Sequence, residues 1–284
     1  MLVRLRRALG LATPPVVSVL RLSGVIGAIG PMRGGLTLEA TAESIERAFA
    51  PKDQQAVALV INSPGGSPVQ SALIGNRIRQ LADEKKLPVL AFVEDVAASG
   101  GYWLACAADE IIADPASIVG SIGVVSQGFG FQDLLARIGV ERRVYTAGRN
   151  KAMLDPFQPE KSEDVERLKA LQLEIHASFI AWVKARRGPR LKADDDTLFT
   201  GEFWTGSRGL GLGLVDSLGD LRATLRARFG DTVRFRLVEE RKPWLARRLG
   251  MAGAALPAAD LATGAAAGLV AAAEQRALWA RYGL

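Results

Sequence analysis

The chain has 284 residues, 49% apolar and 23% charged, and Lys+Arg 36 against Asp+Glu 30 leaves a net charge of +6. That apolar content excludes a largely disordered chain, and the length admits one large α/β domain or a domain with appendages. A single cysteine, Cys106, excludes an internal disulfide and a Cys-rich zinc site, and a single histidine, His176, excludes a multi-histidine metal centre.

The mild positive excess fits an ordinary basic surface as well as an anionic membrane or nucleic acid. Residues 1–10 carry Arg4, Arg6 and Arg7, but Pro14 and Pro15 follow where a signal peptide needs an apolar core. Residues 16–22 read as a first strand, with Gly24 and Gly27 at its bend. Residues 56–62, AVALVIN, form a continuous apolar run, as expected of a strand buried on both faces of a parallel sheet. Ser63-Pro64-Gly65-Gly66 makes a tight turn, and Ser67 then caps a helix that has Pro68 at its first position. That helix should run to about Ala82, with Val69, Leu73, Ile78 and Leu81 inward.

Residues 88–93 are the next buried strand, and Ser99-Gly100-Gly101 turns into a short apolar helix ending near Ala108. Residues 110–113 and 119–125 read as strands, 131–138 as a helix and 140–146 as extended. A long amphipathic helix spans 162–187, with Leu168, Leu171, Ile175, Phe179 and Val183 along one face. A Gly-rich turn region, 201–219, precedes a helix over 221–229 and a last strand over 233–238. Strand–turn–helix units in this order predict right-handed crossovers and a parallel sheet, with ligands at the strand C-terminal ends. No window has the roughly 18–20 uncharged apolar residues of a spanning helix. The nearest approach, 256–273, is rich in Ala and Gly and contains Asp260; it suits packing on a neighbouring subunit or lying on a membrane surface. The organisation expected is a basic N-terminal segment over 1–15, a catalytic domain over 16–249 and an Ala-rich C-terminal tail over 250–284.

Two Gly-rich turns after successive buried strands carry the chemistry. A serine at the mouth of a helix is accessible, and flanking glycines let a carbonyl approach backbone N–H groups able to hold an oxyanion. Either turn alone is also ordinary turn composition. A serine nucleophile needs a base. His176 lies within the long helix, near the edge of its apolar stripe, and reads as a surface residue. A lysine can serve if burial brings its pKa from about 10.4 to about 7–8, which destabilises the charged form by roughly 4 kcal/mol. Lys85 and Lys86 follow two acids, Lys169 and Lys184 sit on a charged helix face, and Lys52, Lys161, Lys192 and Lys242 lie in polar stretches. Lys151, after a strand and Gly148 and before Ala152-Met153-Leu154, is the best candidate.

Ser63-Pro64-Gly65-Gly66, Asp95-Val96-Ala97-Ala98-Ser99-Gly100-Gly101-Tyr102, Gly120-Ser121-Ile122-Gly123-Val124 and Lys151 with Asp155-Pro156-Phe157 stand in order along the chain. Together they resemble the signal peptide peptidase A family of serine peptidases, family S49. Thr205-Gly206, Leu212-Gly213-Leu214-Val215-Asp216 and Leu218-Gly219 resemble the region that follows in that family. The resemblance covers roughly residues 16–230. It implies an α/β Clp-protease/crotonase-like fold built from ββα units, with a long helix and a small C-terminal extension. It implies a Ser/Lys dyad of Ser99 and Lys151, and a hydroxyl, Ser121, that orients the lysine amine. It implies oxyanion amides from Gly100 and from Gly66, with Gly65 as the near alternative.

The reaction implied is acyl transfer: Ser99 attacks a peptide carbonyl, Lys151 moves the proton, and water hydrolyses the acyl-enzyme. Short apolar peptides such as signal-peptide remnants are the substrates implied, with no cofactor, metal or nucleic acid. A closed homo-oligomeric ring, in which one subunit's serine meets a neighbour's lysine, is the assembly implied. Many family members have an N-terminal membrane anchor, and none is legible here. The location expected is therefore cytoplasmic or peripherally membrane-associated, with Arg4, Arg6 and Arg7 and the tail around Trp279, Arg281 and Tyr282 as candidate lipid contacts. Two other readings remain open: a crotonase-like acyl-CoA enzyme and a non-catalytic membrane-associated scaffold.

Overall fold

The long apolar runs pair side by side at the centre of the protein. The computed structural model describes residues 14–27, 35–238, 273 and 276–284. Arg4, Arg6 and Arg7, and nearly all of the Ala-rich stretch 256–273, lie outside the described residues. The strands are β1 (Val16–Ser23), β2 (Gln54–Ser63), β3 (Val89–Ala98), β4 (Glu110–Ala113), β5 (Ile118–Gly120), β6 (Phe203–Thr205), β7 (Ser217–Leu218) and β8 (Arg234–Leu237). The helices are α1 (Leu38–Phe49), α2 (Pro68–Lys85), α3 (Gly100–Ala105), α4 (Gln132–Arg137), α5 (Ser162–Arg187), α6 (Asp195–Leu198), α7 (Gly206–Leu212) and α8 (Leu221–Phe229).

The strands form one sheet in the order β6-β5-β3-β2-β1-β8, with β4 beside β3 and β7 beside β4. Every pairing is parallel except β5 with β6. The long β3 is shared on one edge: Leu90–Val93 pair with β4, and Val96–Ala98 pair with β5. Side chains alternate between two cores, as the strand period requires. Val57, Leu59 and Ile61 of β2 join Leu20, Leu22, Ile74, Ile78 and Leu104 on one face. Ala56, Ala58 and Val60 join Val17, Val19, Leu90, Phe92 and Leu225 on the other. Each fully buried Leu or Ile side chain contributes about 1.5–3 kcal/mol, and the central strands and the helices packed on them share that burial.

Helix α2 starts as its sequence dictates: Ser67 caps it, its hydroxyl accepting from the Gln70 amide at 3.4 Å, and Pro68 opens the first turn. Its inward face differs from the expected one. Ile74, Ile78, Leu81 and Ala82 are buried, while Val69 and Leu73 are exposed. The strand expected over 119–125 stops at Gly120, because Gly120 (φ +101°) and Ser121 (φ +54°) turn the chain out of the sheet. The stretch 140–146 is irregular and has no strand partner among the described residues.

Helix α5 covers the range its periodicity indicates, but its expected apolar stripe is buried only toward the C-terminal end. Phe179 stacks on Trp103 at 4.9 Å, and Val183 and Arg187 are buried, whereas Leu171 and Ile175 are exposed. No helix among the described residues is long and apolar enough to cross a membrane.

Candidate active site

The register of β2 against β3 brings the two Gly-rich turns together. Ile61 pairs with Val93, and after a shift Ser63 pairs with Ala97, so both strands end at the same level. A Cβ placed on Gly65 would stand 2.7 Å from the Ser99 Cβ, which leaves room only for hydrogen there. Gly66 (φ +141°) is pressed against the chain after β1: a Cβ there would lie 2.1 Å from the Ile26 carbonyl oxygen. That contact is an isolated parallel bridge in which the Ile26 amide donates to Gly65 O and the Ser67 amide donates to Ile26 O, each at 2.8 Å.

The bridge does not use the Gly66 amide. The Gly65 amide instead donates to Ser63 Oγ at 3.2 Å. The Gly100 amide is the first of α3 and has no carbonyl within the helix to reach. Among the described residues neither the Gly66 nor the Gly100 amide has an acceptor. The two lie close: a Cβ on Gly100 would come within 3.3 Å of the Gly66 nitrogen. Gly66, rather than Gly65, therefore presents the free N–H beside Gly100.

Ser99 sits at the elbow between β3 and α3 with φ +52° and ψ −122°, outside the ordinary regions for a residue with a side chain. Its amide donates to Gly120 O at 2.8 Å, and the Trp103 amide donates to its carbonyl at 3.0 Å. Its hydroxyl caps nothing and has no hydrogen-bond partner among the described residues. It opens on a shallow depression of about 240 Å³, counted with its open mouth, whose apolar lining includes Trp103, Val124, Ile175 and Phe179.

Ser121 follows Gly120 on the next turn and is buried. Its amide donates to Glu202 O at 2.6 Å. The hydroxyl of Tyr282, from the C-terminal tail, lies 3.3 Å from Ser121 Oγ and 3.4 Å from the Pro64 carbonyl. Sequence reasoning missed Tyr282, because no local pattern links residue 282 to residue 121. Its ring is buried on Val96 and Ala98, so it is not free to act as the lipid contact considered above.

Among the described residues no hydrogen bond brings Lys151 to Ser99. The lysine is exposed, on an arm that leaves the core after Gly123 and returns at α5. The arm is closed on itself. Phe131 and Phe157 face each other at 5.6 Å, the Phe131 amide donates to Pro156 O at 2.6 Å, and Arg142 bonds Asp155 at 2.9 Å. The Phe157 amide on Asp155, with Arg142 beside it, holds the Asp155 carboxyl below its usual range. Lys151 makes no side-chain bond among the described residues. His176 is engaged elsewhere: its Nε2 lies 3.0 Å from the Ile122 carbonyl, which only accepts, so Nε2 carries the proton.

Behind the site, Arg187 is only 2% exposed and ties α5 to the loop after α7. It donates to Gly213 O at 2.7 Å and to both Asp216 oxygens at 2.6 and 3.0 Å. Burial alone would raise the Asp216 carboxyl. The bonds from Arg187 and the Ile111 amide, with the charges of Arg187 and Arg190, outweigh burial and hold it below its usual range.

A serine at a strained strand-to-helix elbow, with two unpaired amides beside it, is an arrangement suited to acyl transfer. The Peptidase family S49 model matches residues 81–229, and the chain belongs to that family. It is 57% identical over 272 residues to a Brucella abortus chain described as the Na(+)/H(+) antiporter NhaA, covering 94% of this chain and 37% of that one. It is 33% identical to the chloroplastic serine protease SPPA of Arabidopsis thaliana, covering 72% of this chain and 31% of that one. The chain thus spans about a third of the length of these relatives. Among solved structures, a mutant of the 1510-N membrane-bound stomatin-specific protease superposes with a TM-score of 0.51, at 16% identity, over 81% of this chain and 100% of that one. The fold is the expected Clp-protease/crotonase-like one.

Proposed function

We propose that the chain is a serine endopeptidase in which Ser99 is the nucleophile and Lys151 of a neighbouring copy is the general base. The observation that carries this reading is the unpartnered Ser99 hydroxyl beside the unused amides of Gly66 and Gly100. Ser99 attacks the peptide carbonyl, and the two amides hold the oxyanion. The lysine amine takes the serine proton and returns it to the leaving amine, and water then releases the acyl group. Ser121 orients the amine through its hydroxyl oxygen. The apolar lining of the depression beside Ser99 favours short apolar peptides, such as signal-peptide remnants. The Brucella relative, described as an antiporter, devotes 37% of its length to this unit, which supports a peptidase working beside a membrane.

A base lysine has to be desolvated, and within a single chain Lys151 lies on an exposed arm. That arm presents Phe129 at 79% and Tyr145 at 90% exposure, together with exposed Leu134, Ile138 and Val140. The neighbouring half of α5 adds Leu171, Leu173 and Ile175. So many exposed apolar side chains call for cover. A second copy laid over the arm supplies it, buries Lys151 and delivers it to the next Ser99, and head-to-tail repetition closes a ring.

Co-expression of Ser99→Ala and Lys151→Ala chains tests this. Each chain lacks one member of the pair, so a site within one chain is never restored. A shared site needs an intact serine and an intact lysine from different chains, so random mixing restores roughly a quarter of the sites. Mixed assemblies with no activity would refute the shared site. Hydrolysis at the wild-type rate by Ser99→Ala alone would refute the nucleophile.

A further inference from the structure

The last nine residues return to the sheet and end beside the candidate site. Tyr282 is 8% exposed, packs on Val96 and Ala98, and meets Phe203 edge-on at 5.0 Å. Trp279 and Ile118 close the same small cluster. The Tyr282 amide donates to Trp279 O at 2.9 Å, which fixes the turn that aims the ring inward. A buried tyrosine usually has a partner for its hydroxyl, and here both neighbours belong to the site: the Pro64 carbonyl at 3.4 Å and Ser121 Oγ at 3.3 Å.

Only one arrangement of hydrogens makes both bonds. The Pro64 carbonyl can only accept, so the tyrosine proton must point to it. The Tyr282 oxygen is then an acceptor, and the Ser121 proton must point to the tyrosine. That order leaves lone pairs of Ser121 Oγ open to accept from an incoming amine. A neutral lysine that donates one N–H to Ser121 keeps its own lone pair for the Ser99 proton. With the Ser121 hydroxyl reversed, its proton would compete for that lone pair.

We propose that Tyr282 is a positioning residue for the Ser99–Lys151 pair, its hydroxyl fixing the Ser121 hydroxyl as an acceptor for the lysine amine. The proposal rests on the peptidase reading above. It gives the C-terminal tail a part in the reaction although Tyr282 touches neither Ser99 nor Lys151. Both bonds are long for O–H···O contacts, so they contribute to orientation more than to stability.

The test is Tyr282→Phe, which keeps the ring and its packing and removes only the hydroxyl. A lost neutral hydrogen bond corresponds to about a three- to tenfold change. The expected result is a kcat lower by that factor, an unchanged KM and an unchanged Tm. In a Ser121→Ala background the same substitution should cost no further activity, because the group it orients is gone. Unchanged kcat in Tyr282→Phe overturns the proposal. So do losses that simply multiply in the double variant, a gain in activity, or a fall in kcat that comes with loss of fold. Ser99→Ala is run beside it. If that variant keeps the wild-type rate, the peptidase reading fails and this proposal with it. If Ser99→Ala is dead and Tyr282→Phe is normal, only the role of the tail fails.

Discussion

Replacing Ser99 by glycine should stabilise the protein relative to replacing it by alanine, although both substitutions remove the hydroxyl. At φ +52° and ψ −122° any residue with a Cβ is strained, at a cost of about 1–3 kcal/mol. Alanine keeps that strain and glycine does not. Glycine returns about 0.5–1 kcal/mol as added freedom in the unfolded chain. The net gain of Ser99→Gly over Ser99→Ala is therefore about 1 kcal/mol, or about 2–4 °C in Tm for a domain of 150–250 residues. The Ser99 hydroxyl has no partner among the described residues, so Ser99→Ala itself should stay within about 0.5 kcal/mol of wild type. Urea unfolding of the three proteins, with Tm as a second readout, measures this directly. A glycine variant no more stable than the alanine variant would show that the elbow stores no strain. The sheet, Gly120 O and α3 would then not be holding the serine against its own preference.

Further outcomes follow from the same geometry. Lys151→Arg keeps the charge but cannot accept a proton at usable pH, so it should be as inactive as Lys151→Ala; His176→Ala, whose imidazole is spent on Ile122 O, should stay active. Arg187→Met leaves Asp216 and Gly213 O without their buried partner, and should cost about 3–5 kcal/mol in urea unfolding; a loss under about 1 kcal/mol would refute a structural role for this pair. The Asp216 carboxyl is held below its usual range in the folded state. Its contribution is therefore complete above the ordinary aspartate value, about 3.9, and is lost as pH falls below that towards the folded value. The acid limb of stability should accordingly be shallower in Arg187→Met than in wild type. Burial pushes the Cys106 thiol up to about 12, so a thiol reagent should leave the native protein unlabelled and react only after unfolding.

How much was legible beforehand divides along physical lines. Continuous apolar runs with β-branched residues, such as 56–62, suit a strand covered on both faces, and they form β2 and its neighbours. Residues 162–187 and 221–229 form helices over the ranges their periodicity marks. The errors arise where burial is decided by distant partners. Val69 and Leu73 have helical spacing but face outward, because Ile74 and Ile78 take the face toward the sheet. Leu171 and Ile175 continue the stripe of Phe179 and Val183 beyond the point where the core ends. Gly120 and Ser121 end β5 early through positive φ values that a run of apolar letters does not announce.

The site shows the same division. That the turns holding Gly65, Gly66, Ser99, Gly100 and Ser121 come together was legible, because each stands in a short motif at the end of a strand and parallel strands carry their C-terminal ends to one edge. Tyr282 was not, since its place is set by a ring packed on Val96 and Ala98 more than 180 residues away in sequence. Lys151 is the instructive case. Its motif marks it, but among the described residues its arm is tied to itself, through Phe131, Phe157 and the Arg142–Asp155 pair. A segment that pairs Phe131 with Phe157 and Arg142 with Asp155, and leaves Phe129 and Tyr145 open, satisfies local interactions without burying its apolar side chains. On the proposed reading, what it lacks is the surface of a second copy, which would cover Phe129 and Tyr145. If co-expression restores activity, the position of Lys151 relative to a serine is a property of the assembly, which the sequence encodes only as exposed apolar side chains.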